Sequence, residues 1–156
     1  MGNQPEVELS AQLQRKDPRL AVYVVIPGRY VQHWNLSGTT IIEGAANGFP
    51  FGRRTFKAWG KRTDDWFVEF TSPFCKAAGL GVGDPVSLNI RRADTSTPQE
   101  LQAIFSKSGG LEVAWLALSE RERRDAGEHI RAAKTQATRE RRAIAIAEKL
   151  RSAAKS

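Results

Sequence analysis

The sequence predicts an α+β fold, with a small six-stranded β-barrel over residues 6–93 followed by a short helical module over residues 97–152. Three observations lead there. Apolar residues alternate with polar ones, at period two, through most of the first part of the chain. Helical periodicity replaces that alternation after residue 97. Between a short helix and the last strand stands a glycine box, Gly79-Leu80-Gly81-Val82-Gly83-Asp84. Gly79 and Gly81 suit the positive φ that stops a helix, and Gly83-Asp84 suits a tight turn.

The elements follow in order. Val7, Leu9, Ala11 and Leu13 alternate with polar neighbours and predict a half-buried strand, broken by Asp17-Pro18. Residues 21–26, AVYVVI, are β-branched and almost wholly apolar, which predicts a strand buried on both faces. Residues 29–37 are irregular. Extended runs over 39–44 and 49–58 flank Asn47-Gly48, a hairpin signal because both residues accept φ > 0. A second turn falls near 60–65, and Trp66, Val68 and Phe70 share one face of the next strand. A short helix starts after Ser72 with Pro73 at its first position, and the glycine box leads into the last strand, 85–92.

Beyond a polar linker at 93–96, Thr97 to Glu100 has the elements of a capping box, with Leu101, Ile104 and Phe105 on one helical face. Leu111, Ala114, Trp115 and Leu118 form the next stripe. Ser119 with Glu122 makes a further capping box, opening a helix to about Lys134 that buries Ala126, Ile130 and Ala133. The last helix runs from about Thr138, with Ala143, Ile146, Ala147 and Leu150 inward. Stripes this narrow must pack on the barrel, on each other or on a partner.

Composition bounds the function. The chain of 156 residues is 40% hydrophobic and 26% charged, an ordinary balance for one good core or two small domains. Its longest apolar run is too short to span a bilayer, so no membrane insertion is expected. The start, MGNQPEVELS, has neither a signal-peptide pattern nor a Ser or Thr at the sixth position for myristoylation. The single cysteine, Cys75, suits a reducing compartment, and the cytoplasm is the expected location. The net charge is +7, and residues 119–156 alone carry 11 Lys/Arg against 6 Asp/Glu. Such an excess suits an anionic partner, although interspersed charges are also common on solvated helices.

Two features together resemble a known family. One is the β-rich half, with its ANGFPFGRR hairpin and GLGVGD box. The other is the tail, with Leu118-Ser119, Arg123-Arg124, Ile130, Ala133-Lys134, Thr138-Arg139 and Arg142. The chain resembles bacterial proteins of the bacteriocin-protection, YdeI/OmpD-associated family over residues 6–152. The resemblance implies a small barrel domain ahead of a helical module, the barrel being similar to AbrB/MazE-like double-split or swapped-hairpin types. Three features depart from the family's form: His129 stands where an aromatic is usual, Ala126 where a Tyr or similar residue is frequent, and the second hairpin, FKAWGKRTDDWF, is not the usual one.

No catalytic constellation emerges. His33 beside Trp34 and His129 on a basic helix lack evident partners, Cys75 reads as a buried inert thiol, and Asp64-Asp65 read as turn residues. Two distant histidines and one cysteine do not make a metal site, and no cofactor is expected. The glycine box precedes a strand rather than a helix, unlike a phosphate loop. The candidate anion- or partner-binding residues are Arg53, Arg54, Lys57 and Trp59 on the basic hairpin and Arg124, Arg139 and Arg142 on the tail. Basic residues interleaved with aromatics can bind phosphates and stack bases, but strand alternation sends neighbours to opposite faces, and edge strands carry cations against aggregation. In the tail, arginines three apart can grip one anion, or they can join an ion-pair lattice with Glu120, Glu122, Glu128 and Glu140. The expected function is a non-enzymatic cytoplasmic binding or stress-protection protein for an unidentified protein or anionic ligand. The alternative is a DNA- or RNA-binding protein using the basic hairpin and tail helices. The oligomeric state is left open.

Overall fold

The computed structural model describes residues 6–154; the reading of the extreme N-terminus falls mainly on residues outside these. The chain divides after Asp94 into two compact units.

The first unit is a nearly closed antiparallel barrel. Its strands are β1 (Val7–Gln12), β2 (Val22–Ile26), β3 (Thr40–Ala46), β4 (Phe49–Pro50), β5 (Arg54–Ala58), β6 (Trp66–Phe70) and, after helix α1 (Ser72–Ala78), β7 (Pro85–Arg92). The order round the barrel is β1-β7-β3-β5-β6-β2, with β4 paired to β3 off this path. The predicted six-strand path is therefore present, but the run 49–58 is split. Asn47 and Gly48 both take positive φ, 50° and 83°, as the hairpin requires. Phe51 then turns into the core, donating its N–H to Gly44 O at 3.0 Å, and Gly52 takes φ 70° before β5 begins.

Burial follows the alternation. Val7 and Leu9 in β1 and Val86, Leu88 and Ile90 in β7 face inward. Val24, Ile26, Phe56, Val68 and Phe70 fill the other side of the barrel. Trp34 is buried at the end of the second of two short turns of 3-10 helix, 28–30 and 32–34, in the segment expected to be irregular. Its ring meets Phe56, which stacks on Trp66 with centroids 5.3 Å apart.

The short helix α1 is capped by Thr71, whose Oγ1 accepts from Phe74 N at 3.2 Å; Ser72 and Pro73 lie within the first turn. Gly79 ends it at φ 68°. In the box itself it is Gly83, at φ 93°, that makes the turn, with Asp84 N donating to Gly81 O at 3.0 Å. Gly81, expected at positive φ, instead donates its N–H to the Asp84 carboxylate at 3.0 Å.

The second unit holds α2 (Gln99–Lys107), α3 (Leu111–Leu116), α4 (Glu120–Arg131) and α5 (Gln136–Ala154). Leu101, Phe105, Leu111, Trp115, Ile130, Ala143, Ala147 and Leu150 make its core. The Ser119–Glu122 capping box forms in both directions. The box expected at Thr97 does not: Pro98 occupies the cap position and no side chain caps α2. The helix α4 stops at Arg131 rather than Lys134. The helix α5 starts at Gln136, because Thr135 Oγ1 accepts from Thr138 N at 3.2 Å and so caps it ahead of the expected start.

Two substitutions test the barrel. Phe56→Ala empties the fully buried centre of β5 and is expected to cost about 3–5 kcal/mol, lowering the melting midpoint by roughly 12 °C or more. Gly44→Ala places a Cβ 1.9 Å from Asn89 O on the adjacent strand and is expected to destabilise the barrel on the same scale, whereas Gly38→Ala, with open space around it, leaves the midpoint within a few degrees. Thermal denaturation followed by circular dichroism measures each.

Candidate functional site

The basic hairpin sorts its residues by face. Arg53 Nη2 donates to Asp94 O at 2.7 Å, and its Nη1 lies 3.7 Å from Glu43, which also faces Arg91 at 3.8 Å. Arg54 Nε donates to Phe51 O at 3.1 Å, and its guanidinium lies 5.8 Å over the Phe74 ring. Burial holds its affinity for the proton below that of a free guanidinium, partly opposed by the nearby Cys75. Both arginines therefore serve the barrel. Lys57 is exposed instead, directly opposite Phe67 on the outer face of β5 and β6.

Trp59 joins that outer face. Its N–H donates to Asp65 O at 2.8 Å, extending the β5–β6 ladder by one step. Its ring stacks on Tyr23 with centroids 5.0 Å apart and meets the edge of Phe67 at 5.3 Å. The Lys16 ammonium lies 4.6 Å over the Trp59 ring. Asp17, next in sequence, is taken by Arg19: its carboxylate accepts from the Arg19 side chain at 3.1 Å and from its backbone N–H at 2.8 Å. The Arg19 side chain and then its backbone hold the Asp17 carboxyl below the usual carboxylate range. Sequence reasoning found Lys57 and Trp59 but missed Lys16, Tyr23 and Phe67. Alternation within AVYVVI sends Tyr23 and Val25 opposite to Val24 and Ile26, but only the β2–β6 pairing brings Tyr23 near Trp59.

The tail arginines bond to helix ends. Arg142 Nη1 donates to His129 O at 2.6 Å in the last turn of α4, and Arg139 Nε to Ala133 O at 3.0 Å just beyond the end of that helix. Arg123 Nη1 donates to Leu116 O at 3.0 Å and also to Leu118 O, where α3 ends. Arg131 bonds to Ser96 O and lies 3.6 Å from Glu128. The last carbonyls of a helix lack intrahelical donors and carry partial negative charge, so guanidinium groups satisfy them doubly. Arg124 is half-buried on α4 and also engaged. Of the expected ion-pair lattice the structure shows Arg131–Glu128, and Arg121–Asp125, at 3.9 Å, is an exposed pair outside the expected set.

The remaining chemical candidates are absorbed locally. Asp65 Oδ1 accepts from Gly28 N at 3.2 Å across the turn, and His33 lies edge-on to Trp34 at 5.8 Å. Burial pushes the Cys75 thiol up, against the lowering influence of Arg15 and Arg54. Among the described residues no group of three His, Cys, Asp or Glu gathers to hold a metal ion, and no helix is long and apolar enough to cross a membrane.

The fold and site thus define a small antiparallel barrel whose outer face carries exposed lysines around a buried Tyr23 and half-buried Trp59 and Phe67, joined in sequence to a helical unit held by its own arginines. The model of the family described as Bacteriocin-protection, YdeI or OmpD-Associated matches residues 95–152, the helical unit, in agreement with the tail pattern read from sequence. No curated protein matches the chain.

Two expected outcomes follow from these contacts. Arg139→Ala and Arg142→Ala each remove a charged donor from a carbonyl in or just after α4 and are expected to cost the helical unit about 1–3 kcal/mol, whereas Arg121→Ala changes stability by less than about 0.5 kcal/mol. Denaturant unfolding followed at helical wavelengths separates the two cases. Because the folded-state pKa of Cys75 is raised, its contribution to stability is fully present below the unfolded thiol pKa and is lost as pH rises through the folded value. Cys75 in the native protein is therefore expected to react with a thiol reagent more slowly at pH 8 than in denaturant; equal rates would contradict the burial account.

Proposed function

We propose that the protein is a non-enzymatic binding protein of the cytoplasm, acting in protection by holding an anionic partner rather than by turning over a substrate. The observation that carries this is the outer face of β2, β5 and β6, where exposed Lys16 and Lys57 surround the Tyr23–Trp59–Phe67 cluster. Lys61 and Arg62, both exposed, follow in the adjoining turn. A lysine ammonium is a flexible, strongly hydrated point charge, suited to an anion that arrives from solution. The arginines of both units, by contrast, are largely spent on carbonyls and on Glu43. The family description of residues 95–152 supports the protective role, and the net charge of +7 supports an anionic partner.

Heparin, a polyanion without aromatic groups, probes the charge part of this proposal. The chain is expected to be retained on immobilised heparin at low salt, and the Lys16→Ala/Lys57→Ala double variant to elute at lower salt with its melting midpoint unchanged. Absence of retention, or identical elution of the variant, would overturn the assignment of this face.

A further inference from the structure

Resting on the proposed anion-binding face, we infer that its partner is single-stranded nucleic acid, with a base stacking on Trp59 and the neighbouring phosphates meeting Lys57 and Lys16. Charge alone selects no particular anion; the ring cluster does. Tyr23 and Phe67 brace Trp59 from behind and from the side, at 5.0 and 5.3 Å, so the indole is held in one orientation before any ligand arrives. A rigid aromatic plane beside lysines recognises the two features that repeat along a single strand, a flat π-face and a phosphate. Lys57 precedes Trp59 by two residues on the same face, about 6–7 Å along the strand, so a phosphate flanking a base on Trp59 falls within reach of its ammonium.

Lys16 marks the same chemistry from the other element. Its ammonium lies 4.6 Å over the indole, while the adjacent carboxylate of Asp17 is occupied by Arg19. An exposed lysine on a flexible stem can yield the ring to a base and turn its charge to the phosphate. Two acidic residues lie close by: exposed Glu69 opposite Tyr23, and Asp65, whose carbonyl pairs with Trp59 N while its carboxylate accepts from Gly28 N at 3.2 Å. Duplex DNA suits this face less well, because its bases are already stacked and offer Trp59 no free π-face.

Fluorescence anisotropy of labelled oligonucleotides, with the full chain, tests the inference. A short oligothymidylate is expected to bind at low salt, more tightly than an abasic oligomer of equal length and than a duplex. Trp59→Leu is expected to weaken oligothymidylate binding roughly 5- to 150-fold, the range for loss of one stacked base, while Trp59→Phe retains most of it. The Lys16→Ala/Lys57→Ala variant is expected to reduce the slope of log affinity against log salt by about 1.4. Equal binding of the abasic oligomer, or equal affinity of Trp59→Leu, would overturn base stacking while leaving the anionic reading intact, as would tighter binding of the duplex. Failure of every oligomer, with heparin also unbound, would remove both. Circular dichroism of each variant checks that the barrel is folded, and the comparison of oligothymidylate with the abasic oligomer on the unaltered chain keeps the test decisive if Trp59→Leu does not fold.

Discussion

The barrel depends on a corner where the end of β1 is fastened to the glycine box. Leu13 N donates to Asp84 O at 3.0 Å, and Gly83 N donates back to Leu13 O at 2.8 Å. Gln12 Nε2 adds a bond to Gly83 O at 3.1 Å. The reciprocal pair extends β1–β7 pairing beyond the strand and delivers the chain to Gln14. There, reciprocal bonds of 2.9 Å with Tyr23 bring the first and last strands of the sheet order together. Two residues later comes Lys16, over Trp59. The corner thus decides both closure and the make-up of the outer face. Closure matters because an open sheet would expose two edges of unpaired backbone groups.

Cations divide the work by their chemistry. A guanidinium has planar donors that hold a carbonyl or carboxylate in fixed geometry, and Arg53, Arg54, Arg92, Arg123, Arg139 and Arg142 all donate to main-chain oxygens. These contacts spend the very charges that a reading of net charge alone would assign to a partner. Lys57 shows the opposite behaviour: it sits exposed on a strand whose other face carries the fully buried Phe56.

The helical unit gives the family pattern a physical meaning. Ser119 caps α4, Ile130 is fully buried, Ala133 supplies a carbonyl, and Arg123, Arg139 and Arg142 tie helix ends. These residues fall within 95–152, the stretch that the family model matches. Helices with apolar stripes this thin need such ties, since each buries little surface of its own.

By itself the sequence determined what depends on neighbours along the chain. The alternation of β1, β6 and β7, the Asn47-Gly48 hairpin, the Ser119 capping box and the stop at Gly79 are all set by local dihedral preference and side-chain period. Where two local signals competed, the reading slipped: Pro98 displaced Thr97 as the cap of α2, and Thr135 capped α5 ahead of Thr138. Tertiary structure alone decided which cations reach carbonyl groups and which remain in solvent, because His129 O and Ala133 O meet Arg142 and Arg139 only once α4 and α5 have packed. It likewise assembled Lys16, Tyr23, Trp59 and Phe67 from separate parts of the chain, because strand pairing is a choice among distant segments that no local period encodes.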